Sequence, residues 1–268
     1  MTTEDAPARG AVASAPQFDR YAGVVFDLDG VIYLADRPIP GGAETVAAVR
    51  KGGLGVAFVT NNAANTPEEV ADKLSAMGVS AEVEEIVTSS QAAARLIEPG
   101  TRCMVVGADG LRTVLARRGC VEVEDPNEAE TVVVGFTKDL VWDDLRRATL
   151  ALRAGARYVG TNGDVAFPSP EGLVPGNGAA LAALDAATGR TPEIAGKPYP
   201  ALFEAVAERL PDGPLLMIGD RAETDIAGAA ALGWDTVLVL TGVTGKEATD
   251  GLDPAPTFIL DSVADLLG

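Results

Sequence analysis

An α/β fold, a mainly parallel sheet wound with helices on both faces and carrying a second, inserted α/β unit, is what this sequence of 268 residues predicts. Three observations lead there. Short β-rich runs alternate with helical patterns along most of the chain, as βαβ units require. The helical patterns open on capping residues, and several close on glycine. The stretch 97–176 has strands and helices of its own and is bounded by the turns Pro99-Gly100 and Pro175-Gly176, which read as hinges.

Residues 1–20, rich in Ala, Pro and Ser without periodicity, predict a disordered tail. Strands are expected at 23–28, 55–60, 102–106, 131–136, 156–160, 214–219 and 236–240. Helices are expected at 41–51, 109–118, 142–154, 177–188, 199–209 and 224–232. A further helix opens at Thr66-Pro67-Glu68-Glu69, with a capping hydroxyl, a proline at the first helical position and a glutamate at the third, and Gly78 closes it. The division follows: a Rossmann-like doubly wound core at 21–96 and 177–268, and an inserted α/β domain at 97–176.

A hydrophobic content of 47% supplies a core for this length. The formal charge is -18, with 39 acids against 21 bases, which argues against a nucleic-acid or anionic-membrane surface. There is no histidine, so Ser-His-Asp and Cys-His mechanisms are excluded and transition metals lose their commonest ligand. Carboxylates, hydroxyls, amides and lysine remain, and such donors suit magnesium, calcium or manganese. Cys103 and Cys120 form no CxxC pair and read as small core residues. An acidic N-terminus without an apolar leader, and no apolar run long enough to span a bilayer, predict a cytoplasmic protein.

Four places can carry chemistry. Asp27 and Asp29 close the run Val24-Val25-Phe26-Asp27-Leu28-Asp29-Gly30; on a strand they share a face and repel unless a cation or reacting group holds them. Thr60-Asn61-Asn62 follows the apolar run Val56-Ala57-Phe58-Val59 and offers a hydroxyl and two amides to an anion. Lys197 stands between Gly196 and Pro198. Asp220, Glu223 and Asp225 follow Leu215-Leu216-Met217-Ile218-Gly219. Taken singly, Asp220 and Thr60 are better read as turn or cap residues and Lys197 as solvated surface, and Asn61-Asn62 fits a plain turn. Together, at the ends of strands of one sheet, they suit phosphoryl transfer, with Asp27 and Asp220 as magnesium ligands and Lys197 and the amides on phosphate oxygens.

Other candidates fail. Gly242-Val243-Thr244-Gly245-Lys246 is too short in its glycine spacing for a P-loop, and Gly176-Asn177-Gly178 lacks a third glycine. Trp142 and Trp234 read as core residues, and Arg117-Arg118 and Arg146-Arg147 as solvated helix faces.

The four places, in this order, resemble the four motifs of the haloacid dehalogenase (HAD) superfamily. Asp27-Leu28-Asp29-Gly30-Val31 is similar to the first motif, Thr60-Asn61-Asn62 to the second, Lys197 to the third and Gly219-Asp220 through Asp225 to the fourth. The second and fourth motifs resemble the NagD-like branch, with its p-nitrophenyl, phosphoglycolate, glycerol-phosphate and pyridoxal phosphatases, and the insert fits that branch's α/β cap domain. Thr161-Asn162-Gly163-Asp164 resembles a recurring cap segment.

The resemblance implies a HAD-like core and a two-step hydrolysis of a small phosphorylated metabolite. Asp27 is the nucleophile, and Asp29 is acid and then base. The Asp27 carboxylate, the Asp29 backbone carbonyl and Asp220 are implied ligands of Mg2+, with Asp225 or Glu223 orienting the metal shell and the lysine. Thr60, Asn61, Asn62 and Lys197 are implied phosphate contacts. Asp29 must hold a proton at neutral pH, and the expectation is that the neighbouring Asp27 carboxylate helps to hold it. Phosphoglycolate, glycerol phosphate or similar esters lead the expected substrates, ahead of nucleotide monophosphates and pyridoxal phosphate. A phosphomutase and a non-catalytic phosphate sensor are the remaining alternatives, and a homodimer through the cap is the expected assembly.

Overall fold

The computed structural model describes residues 16–169 and 171–267. Most of the tail expected at 1–20 lies outside the described residues. Its last residues are not disordered: Phe18–Arg20 form a short 3-10 turn, and Phe18 packs on the core beside the buried Tyr21. An apolar ring at each end of that turn ties it to the fold.

Six parallel strands form the first sheet, in the order Phe258–Leu260, Asp235–Val239, Leu215–Gly219, Gly23–Asp27, Gly55–Thr60 and Ile86–Thr88. Alternation along the strands feeds two cores. Val24 and Phe26 join Phe58 and Ile218 under the helices Gly42–Lys51 and Pro67–Ala76, whereas Val25 joins Ala57, Val59 and Met217 under Pro200–Ala207. A parallel sheet buried on both faces in this way needs continuous apolar strands, and each of the two central ones is fully buried.

The chain winds outward on one side of Gly23–Asp27, through Gly55–Thr60 to Ile86–Thr88, and later returns on the other side at Leu215–Gly219. The switch point therefore lies at the carboxyl end of Gly23–Asp27. In open α/β sheets this crevice is where ligands bind.

A second parallel sheet has the order Glu193–Ile194, Arg157–Gly160, Thr131–Val134, Arg102–Val106 and Val121–Glu122. This corrects the expected division at 176. The helix Asn177–Thr188, expected in the core domain, buries Leu181 and Leu184 among Met104, Val106, Val132 and Val134, and the strand Glu193–Ile194 then adds to the edge of the same sheet. Pro175-Gly176 is not a hinge but the entry to that helix, and the chain returns to the first sheet only after Ile194. The apolar face of the helix decides this, because the second sheet offers the surface that covers it.

The capping box at Thr66 forms as expected, with the side chain accepting from Glu69 N–H and the glutamate accepting in return. Trp142 does not: it opens the helix Trp142–Arg153 and is 80% exposed. Trp234 packs edge-on against Phe203. Arg117, Arg118 and Arg146 lie on exposed helix faces as expected, Arg117 in an exposed ion pair with Glu68, whereas Arg147 is half-buried and paired to Asp144. Among the described residues no helix is long and apolar enough to cross a membrane.

If Asn177–Thr188 belongs to the second unit, Leu184→Ala should destabilise that unit by about 2–5 kcal/mol through the cavity it leaves. Hydrogen exchange should then accelerate in Thr131–Val134 and Arg157–Gly160 and stay unchanged in Gly23–Asp27. Acceleration in Gly23–Asp27 instead would return the helix to the first sheet.

Candidate active site

Asp27 ends its strand at the level where Leu215–Gly219 ends beside it, since Phe26 pairs with Ile218. Asp220 follows immediately. The chain then makes a π-type turn, Ala222–Ile226, that brings Asp225 back against the strand end. Gly219 permits the return, because a Cβ there would collide with the Asp225 side chain. Such turns depart from the i→i−4 ladder and recur at functional sites.

Three buried carboxylates thus meet: one oxygen each from Asp27, Asp220 and Asp225 lies within 4.8 Å of the others. The ammonium of Lys197, 3% exposed, lies 2.6 Å from Asp27 Oδ1 and 2.6 Å from Asp225 Oδ1. Asp220 Oδ2 accepts from the Val243 N–H at 2.6 Å, and Asp225 Oδ2 from the Arg221 N–H at 3.1 Å. Three carboxylates share one ammonium in a site shielded from water.

That imbalance appears in the protonation equilibria. Burial pushes the Asp27 carboxyl well above its ordinary value, Asp225 and Asp220 add repulsion, and Lys197 opposes them. Asp220 is pushed up to about 6 by burial and by Asp225, against the Val243 N–H and Lys197. For Lys197 burial acts downward, but Asp225 and Asp27 outweigh it and hold the ammonium charged. An all-oxygen, over-anionic cluster of this kind fits a hard divalent cation. A Cβ at Gly30 or Gly242 would meet the Asp220 carboxylate, so both glycines keep the space beside it clear.

Thr60 is buried at the end of its strand, one residue past the Asp27–Val59 pair, and its Oγ1 accepts from the Asn62 N–H at 3.1 Å. Asn61 and Asn62, expected to face a phosphate, use their side-chain amides elsewhere. Asn61 Oδ1 accepts from the Lys197 N–H at 2.8 Å, while its Nδ2 donates to the Lys197 carbonyl at 3.1 Å and to Asp164 at 3.2 Å. Asn62 is exposed and closes a local turn with Ala64 and Asn65. The Asn61 side chain is therefore a bracket that fixes the backbone on either side of Lys197.

Asp29 stands exposed, and its neighbours Leu28 and Gly30 hydrogen-bond through their backbones to Tyr33. The Asp29 side chain is not in the carboxylate cluster. The carboxyl is nonetheless raised from its ordinary value, chiefly by loss of water around it, with Lys73 and Arg221 acting the other way. Where the Asp27 carboxylate is expected to help hold this proton, loss of water is the leading cause instead. Glu223 is exposed, so between it and Asp225 only Asp225 reaches the lysine.

Sequence reasoning missed two participants. The loop Gly242–Thr244, set aside as a broken P-loop, wraps Asp220, with Thr244 N–H donating to the Asp220 carbonyl and Thr244 Oγ1 accepting from the Ala222 N–H. The signal was its place after a strand of the same sheet. Asp164 of the second unit, noted only as part of a recurring segment, reaches Asn61 and also pairs with Arg221 at 3.1 Å. Nothing in the local sequence joins those residues.

The class this defines is an α/β enzyme whose carboxylate and lysine site lies at the switch point of a parallel sheet. Comparison with known proteins is consistent with it. A family model described as haloacid dehalogenase-like hydrolase matches residues 24–121, and a second HAD-hydrolase-like model matches 194–266. An acid sugar phosphatase of Staphylococcus haemolyticus is 37% identical over 243 residues, covering 89% of this chain and 92% of that protein. A D-glycerol 3-phosphate phosphatase of Mycobacterium tuberculosis is 40% identical over 243 residues, covering 88% and 68%. The crystal structure of the glycerol phosphate phosphatase of Mycobacterium tuberculosis in complex with magnesium superposes with a TM-score of 0.87 at 38% identity, over 93% of this chain and 77% of that one. This chain belongs to the haloacid dehalogenase-like hydrolases, in their NagD-like branch.

A stability test follows from the raised carboxyls. Because their folded pKa values exceed the unfolded ones, the Asp27 and Asp220 carboxyls bind more protons in the metal-free folded chain than in the unfolded one between about pH 4 and about pH 6, and their contribution to stability falls as pH rises through that window. Lys197 titrates far above it. Magnesium should therefore raise Tm more at about pH 7.5 than at about pH 5. An increment that does not depend on pH would contradict a site built on these carboxylates.

Proposed function

We propose that this chain is a magnesium-dependent phosphatase of small phosphate monoesters that works through an aspartyl-phosphate on Asp27. One observation carries the reading: a buried carboxylate, Asp27, is held by Lys197 at 2.6 Å inside a three-carboxylate cluster. A nucleophile needs a fixed position and a site where added negative charge is met, and this arrangement supplies the first directly.

Asp27 attacks phosphorus, and the bond from phosphorus to the ester oxygen breaks. Asp29 gives its proton to the leaving alkoxide. As a carboxylate it then takes a proton from a water that attacks the same phosphorus, which frees inorganic phosphate and restores Asp27. Splitting one displacement into two in this way lowers a barrier that is very high in water. The raised pKa of Asp29 supports its acid role. Lys197 and the Thr60 hydroxyl hold phosphoryl oxygens, while Asp225 orients Lys197. The side chains of Asp27 and Asp220 and the backbone carbonyl of Asp29 are the proposed magnesium ligands, and the ion supplies positive charge against the carboxylates and the phosphoryl group.

The names of the relatives, an acid sugar phosphatase and a D-glycerol 3-phosphate phosphatase, support small polar esters as substrates. The second unit, as a cap over the site, carries the selectivity. Two free cysteines support a reducing, cytoplasmic location. Exposed Val141, Trp142 and Leu150 on the cap support a homodimer through it.

The test is phosphate release from a panel of esters with magnesium, using the parent chain and Asp27→Asn. Glycerol phosphate and sugar phosphates should be hydrolysed faster than nucleotide monophosphates or pyridoxal phosphate, and Asp27→Asn should lose about a thousandfold or more while remaining folded. Undiminished turnover in Asp27→Asn would end this reading; an isomer in place of free phosphate would point to a mutase, and no turnover at all to a sensor.

A further inference from the structure

We propose that Lys73 is a positioning residue that holds the loop bearing Asp29 in its working place. The proposal rests on the reading of Asp29 as the group that protonates the leaving oxygen. Lys73 stands on the helix Pro67–Ala76, which its capping box and the buried Val70 and Leu74 fix against the core. Its ammonium meets three groups of one hairpin, formed by Tyr33–Leu34 and Arg37–Pro38. It donates to the Ala35 carbonyl at 2.9 Å, lies 3.9 Å from the centroid of the Tyr33 ring and 3.8 Å from Asp36 Oδ1.

The hairpin needs a holder. Ala35 has φ 54°, the one positive φ of a non-glycine residue among those described, so the turn adopts a conformation that an L-residue resists. The carbonyl that Lys73 grips belongs to that residue. Tyr33, beneath the ammonium, is buried and joined to the catalytic loop on either side of Asp29: its N–H donates to the Leu28 carbonyl at 3.1 Å, and its carbonyl accepts from the Gly30 N–H at 2.7 Å. A shift of the hairpin therefore carries Asp29 with it. A lone surface lysine with one carboxylate partner contributes little; this one joins a carbonyl, a ring and a carboxylate on a single strained turn.

A displaced acid harms esters whose leaving group needs a proton and spares those whose leaving group departs as an anion. The ratio of kcat/KM for glycerol phosphate to that for p-nitrophenyl phosphate therefore reports on Asp29 placement, because kcat/KM covers the steps through phosphoryl transfer. In Lys73→Met, kcat/KM for glycerol phosphate should fall about tenfold while that for p-nitrophenyl phosphate stays within about twofold, and Lys73→Arg should restore most of the loss. Hydrogen exchange at Tyr33–Pro38 should accelerate in Lys73→Met. Equal losses for both esters would make Lys73 an attractor of anionic substrate and overturn the proposal, as would unchanged exchange in the hairpin. Asp29→Asn separates the two ideas: if it leaves the ester ratio untouched the reading of Asp29 fails, whereas a ratio changed by Asp29→Asn and not by Lys73→Met rejects the role of Lys73 alone.

Discussion

The contact on which the rest depends is the buried ammonium of Lys197 against Asp27 and Asp225, 2.6 Å from each. A charge withdrawn from water is tolerated only with partners in good geometry, and removal of one partner leaves the other uncompensated. Here the compensation is deliberately incomplete, because Asp220 adds a third carboxylate to a cluster with one lysine. Burial, with repulsion between the carboxylates added to it, raises Asp27 and Asp220 toward protonation in the bare site, and the same residues make an oxygen cluster suited to a divalent cation. Stability is given up at the place where chemistry is carried.

Much of the surrounding structure exists to hold that cluster. The switch in strand order sets Asp27 beside Asp220, and the π-type turn folds Asp225 back over a glycine. Lys197 comes from a distant segment that enters the site from the second unit, and Asn61 fixes it by bonding to its N–H and its carbonyl. The same Asn61 amide, together with Arg221, reaches Asp164 of the cap. The bracket on the lysine is thus also the seam between the two units, so that the position of the cap is coupled to the residues around the reacting centre through three side chains in direct contact.

Where apolar period, cap and turn chemistry agreed, the chain was legible. The helix Pro67–Ala76 formed behind its capping box, and the strands that carry Asp27, Thr60 and Asp220 lie where their apolar runs put them. The strands Ile86–Thr88 and Phe258–Leu260 escaped notice because three residues are too few to display a period, and the helix Ser89–Arg95 because its alanines buried on several sides show no stripe. The boundary of the cap was misplaced because Asn177–Thr188 is apolar enough for either sheet, and only the packing of Leu181 and Leu184 chooses. For the site, residue types marked Asp27, Asp220, Asp225 and Lys197, but not what each neighbour does: the amide of Asn61 serves the lysine backbone, and loss of water is the leading cause that raises Asp29. Such facts depend on contacts between segments more than a hundred residues apart.

The most direct measurement is to quench the enzyme in acid during turnover of a phosphate-labelled ester and to map the label by mass spectrometry. Phosphate on the peptide that contains Asp27, and its absence from the same peptide of Asp27→Asn, is the result expected here. Label on a different carboxylate, or steady turnover in which no phosphopeptide ever accumulates or can be trapped, would contradict a mechanism that passes through this side chain.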